Sequence, residues 1–200
     1  AIGEAAHELY GSKFDFEGLV YTPPTETFEC ALTLAVGGKQ VELLNVGPAH
    51  TRGDVLVHVP QDRIAFTGDI LFVGGHPIVW AGPVSNWIKA CDTLLSWDVE
   101  TIVPGHGPIT DKDGVRRLKQ YLEYVSAEAR KRFDAGMGEE EAARDIALDA
   151  FRGWLDEERM IVNVHTLYRE FTGGRVETDA NELHARMSRW RRERAATKKY

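Results

Sequence analysis

Residues 47–71 read GPAHTRGDVLVHVPQDRIAFTGDIL, and residues 103–108 read VPGHGP. Val55, Val57 and Val59 alternate with Leu56 and His58, the two-residue period of a strand. Pro60-Gln61-Asp62 punctuates the run, and Arg63 to Gly68 reads as its partner strand. His50 precedes the first strand and Asp69 follows the second. His106 sits between two glycines after a third short apolar strand, residues 100–107. Three side chains able to ligate a metal therefore stand at strand-to-loop junctions, where a rigid sheet carries its functional loops. Histidine nitrogens and a carboxylate oxygen are donors that zinc or a similar borderline ion accepts. The flanking glycines permit close backbone approach.

Upstream, residues 28–36 (FECALTLAV) and 41–46 (VELLNV) predict a hairpin closed by Gly37-Gly38-Lys39. Cys30 alternates with apolar residues there and reads as core. Downstream, residues 85–97 predict an amphipathic helix with Ser85 as its N-cap, and Cys91 on the apolar side. Beyond Asp111 the texture turns helical, with helices expected over 113–135, 139–152, 157–171 and 179–196. The glycines at 136, 138, 173 and 174 separate them. The organisation expected is an αβ unit over 1–112 and a helical extension over 113–200.

The chain has 200 residues, 43% of them apolar and 28% charged, enough to bury a core and too apolar for a disordered chain. With 24 Lys and Arg against 31 Asp and Glu, the net charge of −7 argues against a nucleic-acid binder. No apolar run reaches the roughly 18 residues of a membrane span. Two cysteines are too few for a disulfide framework, so a reduced, cytoplasmic compartment is the expectation. The first residues lack the basic start and apolar middle of a signal peptide. No Ser-His-Asp order, P-loop or dinucleotide fingerprint is present.

His-Thr-x-Gly-Asp (His50 to Asp54), Thr-Gly-Asp (Thr67 to Asp69) and Gly-His-Gly (Gly105 to Gly107) stand in an order and spacing that resemble the C-terminal half of a metallo-β-lactamase-fold hydrolase. The resemblance implies an α/β fold of the αββα sandwich type, lacking its N-terminal portion here and followed by a helical C-terminal extension. It implies a binuclear zinc hydrolase of a small ester, thioester, lactone or lactam-like substrate, using metal-bound hydroxide. His50 would complete one metal site, Asp69 would bridge both metals as the catalytic carboxylate, and His106 would serve the second. Thr51 and Asp54 would be supporting or turn-holding residues, and His76, in the loop after Asp69, a candidate for touching substrate. A single iron, as in a persulfide dioxygenase, is the other metal the family allows.

The family's upstream His-x-His-x-Asp-His motif is absent. The only histidine before His50 is His7, which has no second histidine two residues away and reads as a helix-surface residue. The chain thus supplies about half of a binuclear site and half of a sandwich, with one apolar sheet face left bare. The expectations are a remainder of a longer enzyme, a site completed by another polypeptide or a swapped copy in a homo-oligomer, or a truncated relative acting as a binding or assembly module. A small-molecule substrate is expected for the complete protein, with no nucleic-acid or membrane partner.

Overall fold

The computed structural model describes residue 11, residues 13–174 and residues 179–197; His7 lies outside the described residues. Five strands, β1 (Ala31–Val36), β2 (Lys39–Gly47), β3 (Asp54–Val59), β4 (Ile64–Phe66) and β5 (Thr101–Val103), form one sheet in sequence order. The first three pairings are antiparallel and β4–β5 is parallel. Gly37 and Gly38 both take positive φ (57° and 81°) in the β1–β2 turn, which matches the twist of the hairpin. The parallel pairing requires a crossover. It is made by helix α1 (Val84–Ser96).

Ser85 does not cap α1. Pro83 occupies the N-cap position, where it lends no side-chain hydrogen bond. The Val84 N–H instead donates to Glu170 Oε1 at 2.8 Å, a carboxylate reaching across from helix α4 (Met160–Phe171). Anionic oxygen at a helix N-terminus is favourable, so a tertiary contact replaces the local cap. Cys91 is buried as expected, and burial pushes its thiol up to about 12. Cys30 is exposed ahead of β1, because that strand begins three residues later than the alternation from Phe28 suggested.

Helix α2 (Lys112–Asp134) is capped by Asp111, whose Oδ1 accepts the Asp113 N–H at 2.8 Å. The helix expected over 139–152 is shorter. Helix α3 (Glu139–Asp145) ends at Ile146, and a 3-10 turn follows at Asp149–Phe151. Phe151 is drawn into an aromatic cluster with Tyr121 and Trp154, ring centroids 5.1 and 5.0 Å away. Packing there overrides continued helix. Helix α5 (Ala180–Thr197) closes the described chain.

One hydrophobic cluster runs from Leu56, Ala65 and Ile102 of the sheet through Trp87 and Leu94 of α1 to Leu118 and Val125 of α2 and Val164 and Leu167 of α4. The core therefore does not stop at residue 112. The sheet is buried on its Leu56 and His58 face in β3, β4 and β5, whereas β1 is exposed on that face and β2 at most half-buried. Its other face carries the rung Leu32, Leu43, Val57, Phe66 and Val103, apolar across all five strands. Among the described residues that face is partly exposed: Leu32, Leu43, Val57 and Val103 are half-buried, Phe66 is 44% exposed, and Leu34 beside the rung is 37% exposed. Among the described residues no helix is long and apolar enough to cross a membrane.

Candidate functional site

The three junction residues come together. His50 Nε2 lies 3.3 Å from Asp69 Oδ2, and His106 Nε2 lies 3.3 Å from Asp69 Oδ1. One carboxylate thus faces two imidazoles. Asp69 sits in a 3-10 turn, Gly68–Ile70, that closes directly after β4. The loop bearing His106 is laid against that turn by Gly105 N–H donating to Gly68 O at 2.8 Å and by Val73 N–H donating to His106 O at 2.9 Å. Gly105 is required for this approach. A Cβ there would clash with Asp69 Oδ1 and come within 2.6 Å of Gly68 O.

Phe72 organises both rings. His106 stacks on it at 4.4 Å and 11°, and His50 meets it at 5.9 Å. His50 is largely buried, whereas the Asp69 and His106 side chains are 39% and 51% exposed. Thr51 and Asp54 close the turn after His50. Asp54 Oδ2 accepts the Thr51 N–H at 2.9 Å, and its Oδ1 accepts the Thr51 hydroxyl at 2.7 Å.

His50 Nδ1 lies 2.7 Å from Ile78 O. A carbonyl only accepts, so Nδ1 carries the proton and the ring turns Nε2 towards Asp69. The segment carrying Ile78 is itself held by α4. Asn163 Nδ2 donates to Pro77 O at 2.9 Å, and its Oδ1 accepts the Val79 N–H at 2.9 Å. The Thr166 hydroxyl donates to Val79 O at 2.6 Å. Sequence reasoning missed both residues. Their signal was two polar side chains, three positions apart, inside the apolar run VNVHTL.

His76 is buried rather than open to a substrate. Its Nδ1 lies 3.1 Å from the Tyr121 hydroxyl, and its ring packs edge-on against Trp154 at 5.7 Å. Burial pushes its imidazole down to about 4. His58 stacks on Trp97 at 4.6 Å with Nδ1 3.1 Å from Glu42 Oε2. His165 Nδ1 meets Glu139 Oε2 at 2.9 Å, and His184 packs on Trp80 at 5.0 Å.

Residues 2–106 match the family model of the metallo-beta-lactamase superfamily. The chain belongs to the metallo-beta-lactamase superfamily. It is 29% identical over 136 residues to a 2,4-dinitroanisole O-demethylase subunit alpha from Nocardioides sp., covering 67% of this chain and 36% of that one. It is 35% identical over 88 residues to a hydroxyacylglutathione hydrolase from Synechococcus sp., covering 43% of this chain and 33% of that one. The chain spans about a third of the length of these relatives. Among solved structures, a metallo-beta-lactamase family protein from Thermus thermophilus superposes with a TM-score of 0.58 at 16% identity, covering 86% of this chain and 60% of that one. A sec-alkylsulfatase from Pseudomonas sp. gives 0.57 at 13%, covering 74% of this chain and 26% of that one. These two show the shared fold.

The superfamily implies metal, and the donor set here does not fit it. Among the described residues no group of three or more His, Cys, Asp or Glu side chains could hold a metal ion. This overturns the expectation of two zinc ions or one iron, and with it the binuclear hydrolase reading for this chain. The physical reason is donor count. Asp69 turns one oxygen to each imidazole, so each candidate position meets one nitrogen and one oxygen. Catalytic zinc takes three protein ligands and structural zinc four.

Proposed function

We propose that this chain is a non-catalytic binding and assembly module: the C-terminal portion of a metallo-beta-lactamase sandwich, whose partly exposed apolar sheet face receives a second β-sheet. The observation that carries this reading is the conjunction, among the described residues, of an under-supplied donor set with a partly exposed apolar rung across five strands. Sheets pack face to face about 10 Å apart by interdigitating such side chains, and burying them is favourable by about 25 cal/mol per Å². A contiguous apolar face left partly exposed is a natural interaction surface. The Nocardioides relative is, by its name, one subunit of an assembled enzyme.

In this reading His50, Asp69 and His106 form a solvent-reaching polar centre at one end of the sheet, with Thr51 and Asp54 holding the turn that presents it. Sedimentation velocity of the purified chain, beside assays on a hydroxyacylglutathione thioester and an acyl-coenzyme A, tests the proposal. The chain is expected to self-associate through the open face and to hydrolyse neither compound. Phe66→Lys with Leu34→Lys, both at exposed positions, is expected to return it to monomer with the fold intact. A monodisperse wild-type monomer that turns over either thioester contradicts the proposal.

A further inference from the structure

We infer that Asn163 and Thr166 of α4 are positioning residues for His50, acting through the peptide run 77–79. In extended backbone, successive carbonyls point to opposite sides. Asn163 holds Pro77 O and the Val79 N–H, and Thr166 holds Val79 O. With residues 77 and 79 fixed towards α4, the intervening carbonyl must face away from it, and Ile78 O meets His50 Nδ1 at 2.7 Å. The Asn163 amide pairs with this segment as a neighbouring strand would, accepting from one residue and donating to the carbonyl two before it.

Further contacts fix the chain just beyond this run, at residues 81 and 82. Ala81 N–H donates to His50 O at 3.2 Å and Gly82 N–H to Ala49 O at 2.9 Å. Gly82 takes φ +64°, and a Cβ on it would come within 2.9 Å of Thr166 Cγ2 and 2.7 Å of Glu170 Oε1, so the loop is pressed onto α4. Asn163 and Thr166 are both buried. A buried asparagine inside an apolar helix is costly unless every polar atom is used. Here both are: Asn163 Nδ2 also donates to the Tyr121 hydroxyl at 3.1 Å. The consequence is that a helix beyond residue 112 sets the proton position and aim of the first junction histidine.

Nitrogen-15 NMR of the histidine rings in the full 200-residue chain tests this, with His50→Gln identifying the His50 signals. The wild type is expected to show a protected His50 Nδ1–H. Thr166→Val and Asn163→Asp are expected to speed its solvent exchange by about tenfold or more and to shift both ring nitrogens. Thr166→Ser, which keeps the hydroxyl, is expected to restore the wild-type signature. Leu94→Ala, a core truncation in α1 away from the Asn163 network, serves as the control for general loosening and is expected to leave the His50 signals in place. Wild-type His50 signals in folded Thr166→Val overturn the inference, as does an equal change in Leu94→Ala. Should Asn163→Asp fail to fold, Thr166→Val alone decides.

Discussion

Gly105 and Asp69 are separated by 36 positions and touch because neither backbone allows anything between them. The seat of the His106 loop on the Gly68–Ile70 turn depends on a missing Cβ. Gly105→Ala must push the two loops apart, an overpacking cost of about 1–3 kcal/mol. Urea denaturation is expected to show that loss, with the His50 to His106 arrangement disturbed, while Gly138→Ala, with open space at the Cβ and an ordinary negative φ, shows no such clash. His76 supplies a second residue-scale prediction. Its folded pKa of about 4 lies below the unfolded value of about 6.5, because burial disfavours the imidazolium. Between those values the unfolded chain binds more protons, so stability is full above about pH 6.5 and is lost as pH falls towards 4, by roughly 3 kcal/mol in all. Denaturation midpoints from pH 7 to 4 are expected to fall less steeply in His76→Gln than in the wild type. His50, Asp69 and His106 stood out in the sequence through the order and spacing of three short motifs taken together, each being an ordinary turn residue when read alone, and the fold brings both imidazoles to the Asp69 carboxylate. Asn163 and Thr166 did not stand out, because a helix reading assigns polar residues in an apolar run to no partner until the loop 77–79 is seen beside them.

At the level of elements, the strands and helices stood close to where alternation and 3.6-residue periodicity put them, since β3, β4, β5 and the helices α1, α2 and α4 each bury one face in a common core. The departures share one cause. Where a tertiary partner was available, it displaced the local signal: Glu170 replaced Ser85 at the start of α1, and the Tyr121, Phe151 and Trp154 rings ended the helix expected over 139–152. Helix α2 is the contrasting case, with a local cap that the structure uses. Asp111→Ala removes the oxygen that accepts the Asp113 N–H and is expected to lower stability by about 1 kcal/mol, read from thermal or urea unfolding. The corresponding change Ser85→Ala is expected to cost much less, because Ser85 does not cap its helix.

For the whole molecule, the sequence showed a superfamily pattern, and the fold comparison and the family match agree with it. It did not show what the pattern amounts to in this chain. Motif residues announce ligands one at a time, whereas metal binding depends on how many donors converge on one point, a property of the folded arrangement. Asp69 divides its two oxygens between two histidines, and the described residues bring no third donor to either. Among the described residues, the apolar rung from Leu32 to Val103 is only partly covered, with Phe66 its most exposed member. The most direct test of the central claim is the metal content of the purified 200-residue chain, measured by elemental mass spectrometry after dialysis against metal-free buffer. The account predicts well below about 0.1 zinc or iron per chain, in keeping with a donor count short of three. One or two tightly retained metal ions per chain would contradict it.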